Sequence, residues 1–253
     1  MQSELSIVAC ESPQDADNVA EFFRSIWADG PDVVPMDLIL AMLHVGAYCT
    51  TARQGGKIVG ASLAFRGFYN GAHVLHSHVT ASSEPGTGFA LKMHQKQWAL
   101  EHDINTITWT FDPLVRRNGY LNLVKLGAQA VEYSPNFYGT MVDAINAGDE
   151  SDRVVAWWDL HAARASADHD QQRHAAVTLN DGNPEFHGLV DGIENLIHLP
   201  ENIEALRAAS DPVVAQWRST VRAALFPALN EGWKLTGMVN REAYIVTPPK
   251  DGK

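Results

Sequence analysis

The spacing of apolar and polar positions divides most of the chain into short elements. Leu5–Ala9 alternates weakly and predicts a strand. Ser12-Pro13 then opens a helix with Asp15 and Asp17 in its first turn, where the dipole favours acids, and Val19, Phe22, Phe23 and Ile26 form its apolar face. Asp29-Gly30-Pro31 ends it, and Leu38, Met42 and Val45 mark a second, short helix over 36–45. Three strands follow, over 47–53, 57–68 and 72–80, separated by Gln54-Gly55-Gly56 and Tyr69-Asn70-Gly71. A helix is predicted over 86–102. A strand over 106–111 (TITWTF) is rich in β-branched and aromatic residues, and a helix over 114–126 is closed by Gly127. Strands over 128–133 and 153–160 complete this part. Residues 161–190 are polar and turn-rich and read as a linker. Beyond them lie a strand at 195–199, helices at 201–209 and 211–230, and a hairpin of 235–239 with 243–247. Asp211 is the expected N-cap of the longer helix, with Pro212 at its first position. The class is mixed α+β, organised as a core over 1–160, a linker over 161–190 and a smaller α/β extension over 191–253.

Composition narrows the function. The 253 residues are 45% apolar and 19% charged, enough for a sizeable core. A net charge of −11 argues against nucleic acid as a partner, because phosphate-backbone binding needs clustered Lys and Arg. Cys10 and Cys49 form neither a CxxC motif nor a disulfide framework. No signal-peptide pattern and no membrane-length apolar run is legible, so a cytoplasmic location is expected by elimination.

Candidate chemistry begins at residues 80–92, TASSEPGTGFALK, where Gly86 and Gly88 lie between a strand and a helix. A helix start offers unpartnered N–H groups and a partial positive charge, and glycine lets a pyrophosphate approach the backbone. The string lacks the lysine of a phosphate-binding P-loop, and Leu91 stands where a GxGxxG motif needs its last glycine.

The element order, with this turn after the fourth strand, resembles the GNAT superfamily of acyl-CoA-dependent N-acyltransferases. The family's turn reads Arg/Gln-x-x-Gly-x-Gly/Ala. Here Pro85-Gly86-Thr87-Gly88-Phe89-Ala90 matches it, with Gly88 and Ala90 at the small positions and Pro85 in place of the Arg or Gln. Downstream, Val124-Lys125-Leu126-Gly127 resembles the family's Tyr-x-x-Leu-Gly ending, with Leu123 at the position of the tyrosine that often protonates the leaving thiolate. The fuller pattern looks like an atypical subgroup with a C-terminal extension. The resemblance covers about residues 4–160. It implies a mixed, mainly antiparallel sheet flanked by helices, and transfer of an acetyl or succinyl group from acetyl-CoA or another acyl-CoA to the primary amine of a small molecule, an amino acid or a derivative. A ligand-binding or regulatory protein on the same fold is the alternative.

In the frame of that resemblance, backbone N–H groups of Val79, Thr80 and Ala81 would polarise the thioester carbonyl. Gly86, Thr87, Gly88, Phe89 and Ala90 would hold the pyrophosphate. His76 and His78 lie two apart on one strand face and are candidate bases, with two structural histidines as the other reading. Zinc would need a third ligand that the sequence does not identify. Tyr138 and Tyr120 are candidate acids in the absence of a tyrosine at 123. Asn118 and Asn122, four apart on a helix, could meet the pantetheine arm or the substrate, and Arg116-Arg117 could meet the 3′-phosphate. Trp109 and Asp112 would line the substrate pocket. Arg218 could clamp a substrate carboxylate or make a surface salt bridge. A homodimer formed through the tryptophan-bearing C-terminal part is a further expectation.

Overall fold

The computed structural model describes residues 4–27, 33–139, 149–163 and 172–249. The chain divides into two compact units. The first is Met1–Trp109 with Asp159–His161, and the second is Thr110–Trp158 with Ala162–Lys253.

In the first unit the sheet order is β1-β2-β3-β4-β5, with β1 Leu5–Ala9, β2 Tyr48–Gln54, β3 Lys57–Tyr69, β4 Ala72–Ser82 and β5 Thr106–Phe111. Neighbours from β1 to β4 are antiparallel, as the short hairpin turns between β2 and β3 and between β3 and β4 require of those two pairs. β4 and β5 are joined by helix α3, Thr87–Glu101, and run parallel. Helix α1, Pro13–Ile26, begins with a reciprocal cap, in which the Asp15 N–H donates to Ser12 Oγ (3.2 Å) and the Ser12 N–H donates to the Asp15 carboxylate (3.1 Å). Helix α2, Met36–His44, follows it. Ala16, Val19 and Phe23 of α1 and Ile39 of α2 bury with Cys10, Cys49, Ala61, Leu63, Val79 and Ala81, which places a core on that face of the sheet. α3 covers the other face, where Leu91 packs with Ala52 and Val59. Gly60 of β3 permits this, since a Cβ there would lie 2.7 Å from Thr87 Cγ2 and 3.0 Å from Leu91 Cδ1.

The second unit has the strand order β7-β6-β11-β12-β10-β8-β9. Its strands are β6 Gln129–Ser134, β7 Arg153–Asp159, β8 His174–Asn180, β9 Asn183–Phe186, β10 Asn195–His198, β11 Lys234–Val239 and β12 Ala243–Thr247. All its pairings are antiparallel except β8 with β10. Helices α4 Arg116–Gly119, α5 Ile203–Ala208 and α6 Val213–Asn230 belong to it. Both units are therefore mixed α+β with mainly antiparallel sheets, as expected.

Several local expectations change. Residues 174–186, expected inside a linker, pair as the β8–β9 hairpin; Ala176 and Val177 are buried as neighbours while Leu179 and Phe186 stay exposed, so no alternating pattern marked it. The helix expected over 114–126 is a short α-helical stretch continuing into a π-helical segment, Tyr120–Leu126, closed by Gly127 at φ +78°. Pro212, not Asp211, is the cap residue of α6, and Asp211 instead accepts a bond from the Val213 N–H (2.9 Å).

Candidate functional site

β4 pairs β5 at only two positions, Leu75 with Ile107 and His76 with Thr108. Beyond His76 the two parallel strands part, and the β5-facing edge of β4 has no strand partner among the described residues. At the same place β4 carries a bulge. Leu63 of β3 faces Val79 and Ala64 faces Ser77, so His78 is an extra residue with no opposite number. The splayed edge and the bulge together leave backbone polar groups able to bond an extended ligand.

The glycine turn follows directly. Residues 82–86 are exposed. Gly86 is the N-cap of α3 at φ +85°, no side chain caps the helix, and a Cβ at Gly86 would meet nothing within 4 Å. Ala90 N–H bonds the Gly86 carbonyl and Thr87 N–H bonds the Glu84 carbonyl, whereas among the described residues no acceptor faces the N–H groups of Gly88 and Phe89. Thr87 is buried; Gly88, Phe89 and Ala90 are half-buried. This start has the donors for a pyrophosphate. It has no cation in the turn, and Glu84 adds a negative charge. Val79 and Ala81 bury their side chains in the α1 core, so their contribution to any ligand is through the backbone.

His76 and His78 do come together, with ring centroids 6.4 Å apart and Phe65 beside both, at 5.2 and 5.9 Å. Their environments differ. His76 is half-buried and shares a hydrogen bond between Nδ1 and Thr108 Oγ1 (3.3 Å). Burial, and then the charges of His78 and Lys92, lower its pKa from 6.5 to about 4. His78, on the bulge, is exposed, and its pKa is lowered by partial burial alone. Both are neutral near pH 7, and His78 is the more accessible base.

On the opposite face a buried polar chain runs beneath β4. Lys92 Nζ donates to Ser77 Oγ (2.7 Å), Ser77 and Thr80 hydroxyls lie 3.4 Å apart, Thr80 meets Ser62 (2.8 Å), and Gln95 Nε2 donates to Ser62 (3.2 Å). Lys92 Nζ also sits 4.0 Å from the centre of the Trp109 ring. Trp109 is thus the buried wall of this chain, 5% exposed. The burial of Lys92 was not legible in the sequence, because a lysine in a helix ordinarily faces water.

The remaining candidates lie in the second unit. Asp112 is buried and accepts from Arg207 (2.6 Å) and from both terminal nitrogens of Arg218 (3.1 and 3.2 Å). Arg218 and Arg207 also donate to Asp149, at 2.7 and 2.8 Å. Burial opposes ionisation of Asp112, yet Arg218 and Arg207 hold its pKa below the usual carboxylate range. Arg218 therefore makes a buried ion network, neither a surface salt bridge nor a free carboxylate clamp, and Asp112 is its partner. Tyr138 is exposed, shares a hydrogen bond with Thr110 (3.1 Å) and stacks under the Arg153 guanidinium (5.3 Å). Asn122 is buried beside Leu123 in the π-helical segment, and Asn118 precedes it in α4, so the regular spacing expected of the pair is interrupted. Arg117 pairs with Glu204, and Arg116 donates to the Leu199 carbonyl (2.5 Å). Among the described residues no group of three or more His, Cys, Asp or Glu could hold a metal, and no helix is long and apolar enough to cross a membrane.

No family model matches the chain, and no curated protein does. Solved structures do resemble it at low identity. The ribosomal-protein-S18-alanine N-acetyltransferase from Escherichia coli is 13% identical with a TM-score of 0.49, over 63% of this chain and 96% of that one. A Bacillus subtilis acetyltransferase in complex with CoA is 18% identical with a TM-score of 0.49, over 62% and 99%. An N-acyl amino acid synthase from uncultured soil microbes, FeeM, is 12% identical with a TM-score of 0.46, over 62% and 92%.

Proposed function

We propose that this chain is a GNAT-type N-acyltransferase that moves an acyl group from acyl-CoA to the primary amine of a small molecule. The observation that carries the reading is the β4–turn–α3 unit: a strand whose bulged edge opens away from β5 and runs into an uncapped, glycine-led helix start. Acyl-CoA is long and has amides, a thioester and a pyrophosphate in sequence. An open strand edge suits the amides and carbonyl, and the N–H groups of Gly88 and Phe89 suit the pyrophosphate. The sequence resemblance over residues 4–160 supports the same reading.

In this mechanism the thioester carbonyl lies against the Val79–Ala81 backbone, which polarises it. His78 takes the proton from the attacking amine, since it is neutral near pH 7 and exposed beside the bulge. Binding both reactants in one complex supplies much of the acceleration by orientation. An amino acid or derivative is the proposed acceptor class, with acetyl or succinyl as the acyl group. Arg218 is not part of it, because both of its terminal nitrogens are committed to Asp112 and Asp149.

Calorimetric titration with acetyl-CoA is expected to show binding, and no heat at millimolar ligand would sink the proposal. Thiol release against a panel of amines then tests catalysis. A specific observation keeps a second reading alive: Leu123, 3% exposed, cannot donate a proton, and Pro85 removes the turn's cation. A protein that only senses CoA would bind it and release no thiol with any amine.

A further inference from the structure

Lys92 is the feature that the proposed mechanism leaves unused. Its side chain is 5% exposed, and among the described residues no carboxylate pairs with it. Burying an ammonium group costs several kcal/mol unless charge or hydrogen bonds compensate. Here the compensation is one hydroxyl and one ring face, Ser77 Oγ and Trp109. A methionine would fill similar space without that cost. The place is equally specific. Ser77 is the first β4 residue beyond the last β4–β5 pair and borders the bulged His78, while Trp109 follows Thr108 on the diverging β5. Lys92 therefore reaches across the wedge where the two strands part, from the helix that carries the pyrophosphate turn.

We infer that Lys92 is the proton donor to the leaving thiolate, in place of the tyrosine that Leu123 replaces. The inference rests on the acyltransferase reading and names the group that reading lacks. The balance is simple. The amine nitrogen bonds to the carbonyl carbon, the C–S bond breaks and its electron pair goes to sulfur. The Lys92 ammonium gives one proton to that sulfur, and the proton lost by the amine to His78 or water restores Lys92. The products are the amide and free CoA thiol. Burial lowers the Lys92 pKa from 10.5 to about 7, which suits an acid that must be recharged each turnover near neutrality. The groups in contact with Lys92 are Ser77 of β4 and Trp109 of β5, while His76 lies on the other face of β4. Lys96 donates to the Leu160 carbonyl at 2.6 Å, and His76 is the titratable group whose pKa the Lys92 charge influences.

The test is kcat against pH, at saturating acetyl-CoA, for the wild type and Lys92→Met. In the wild type kcat is expected to fall as pH rises through about 7, since only the ammonium form donates. Lys92→Met should lose about 10²-fold in kcat, keep its KM for acetyl-CoA within a few-fold and lose that alkaline limb. A variant with the wild-type rate, or a slower one with the same limb, overturns the inference. If Lys92→Met does not fold, the wild-type profile decides, because a flat kcat from below to above pH 7 overturns it without any variant. Wild-type protein that binds acetyl-CoA and acylates no amine overturns the acyltransferase reading itself, a result reached before Lys92 is altered.

Discussion

Pro85 is the residue at which the glycine turn departs most from its resemblance, and its substitution is informative. It is exposed and precedes the left-handed Gly86, so Pro85→Arg disturbs no packing. If acyl-CoA binds as proposed, a guanidinium there would add a charge-assisted bond to its pyrophosphate. CoA affinity is expected to rise about tenfold by titration, consistent with a charged hydrogen bond of about 1.5 kcal/mol. An unchanged affinity would remove the turn from the binding site. His76 makes a different point. Its pKa in the folded protein is about 4, below the 6.5 of the exposed side chain. Between these values the unfolded chain holds more protons, so stability is lost as pH falls from 6.5 towards 4. His76→Asn should flatten the change in denaturation midpoint between pH 7 and pH 4.5 relative to the wild type. An equally steep loss would place the acid sensitivity elsewhere. Asp112 belongs to the second unit. Asp112→Ala leaves Arg207 and Arg218 with Asp149 alone, and a loss of about 3 kcal/mol in denaturation is expected from such a broken buried pair. A loss in substrate KM with stability intact would restore Arg218 as a carboxylate clamp.

At the scale of elements, periodicity located strands β1 to β7 and β10 to β12 to within a few residues, because each has a buried face or a clear turn beside it. It missed β8 and β9, where burial does not alternate: Ala176 and Val177 are buried side by side, and the flanking Leu179 and Phe186 are exposed. It could not see the β4 bulge either. HSHVTAS alternates smoothly on paper, and strict alternation would put Thr80 on the face of His76 and His78. The bulge moves Thr80 to the α3 side with Ser77, where Ser62 bonds it. The candidate turn was legible because glycines punctuate it, whereas Lys92 was not, because its burial depends on how closely α3 approaches β3. That approach is testable. A Cβ at Gly60 would also lie 3.1 Å from the Ala81 carbonyl, so Gly60→Ala forces backbone or α3 to move. A loss of about 1–3 kcal/mol in stability, with weakened acetyl-CoA binding, is the expected result. Unaltered stability and binding would show that α3 yields without cost.

For the molecule as a whole, the sequence suggested a core ending at residue 160, yet β6 of that stretch pairs β11 through Ala130 and Leu235. Tyr133 of β6 is buried, and its hydroxyl and Arg222 of α6 both donate to Asp152. A chain of residues 1–160 alone would strip these partners away. It is expected to melt below the full chain or to aggregate, as scanning calorimetry and sedimentation would show; a fully stable, monomeric 1–160 would refute that. The division of the chain also bears on ancestry. The first unit is not contiguous, for after Trp109 the backbone leaves it and returns at Asp159–His161, where the Leu160 N–H bonds Asn105 at 3.0 Å. Thr110–Trp158 is nested between those two segments. A single crossover that carries the first unit whole from one protein to another must fall beyond His161, so a gene that inherits the glycine turn complete with its Leu160 strap in that way inherits residues 110–158 as well.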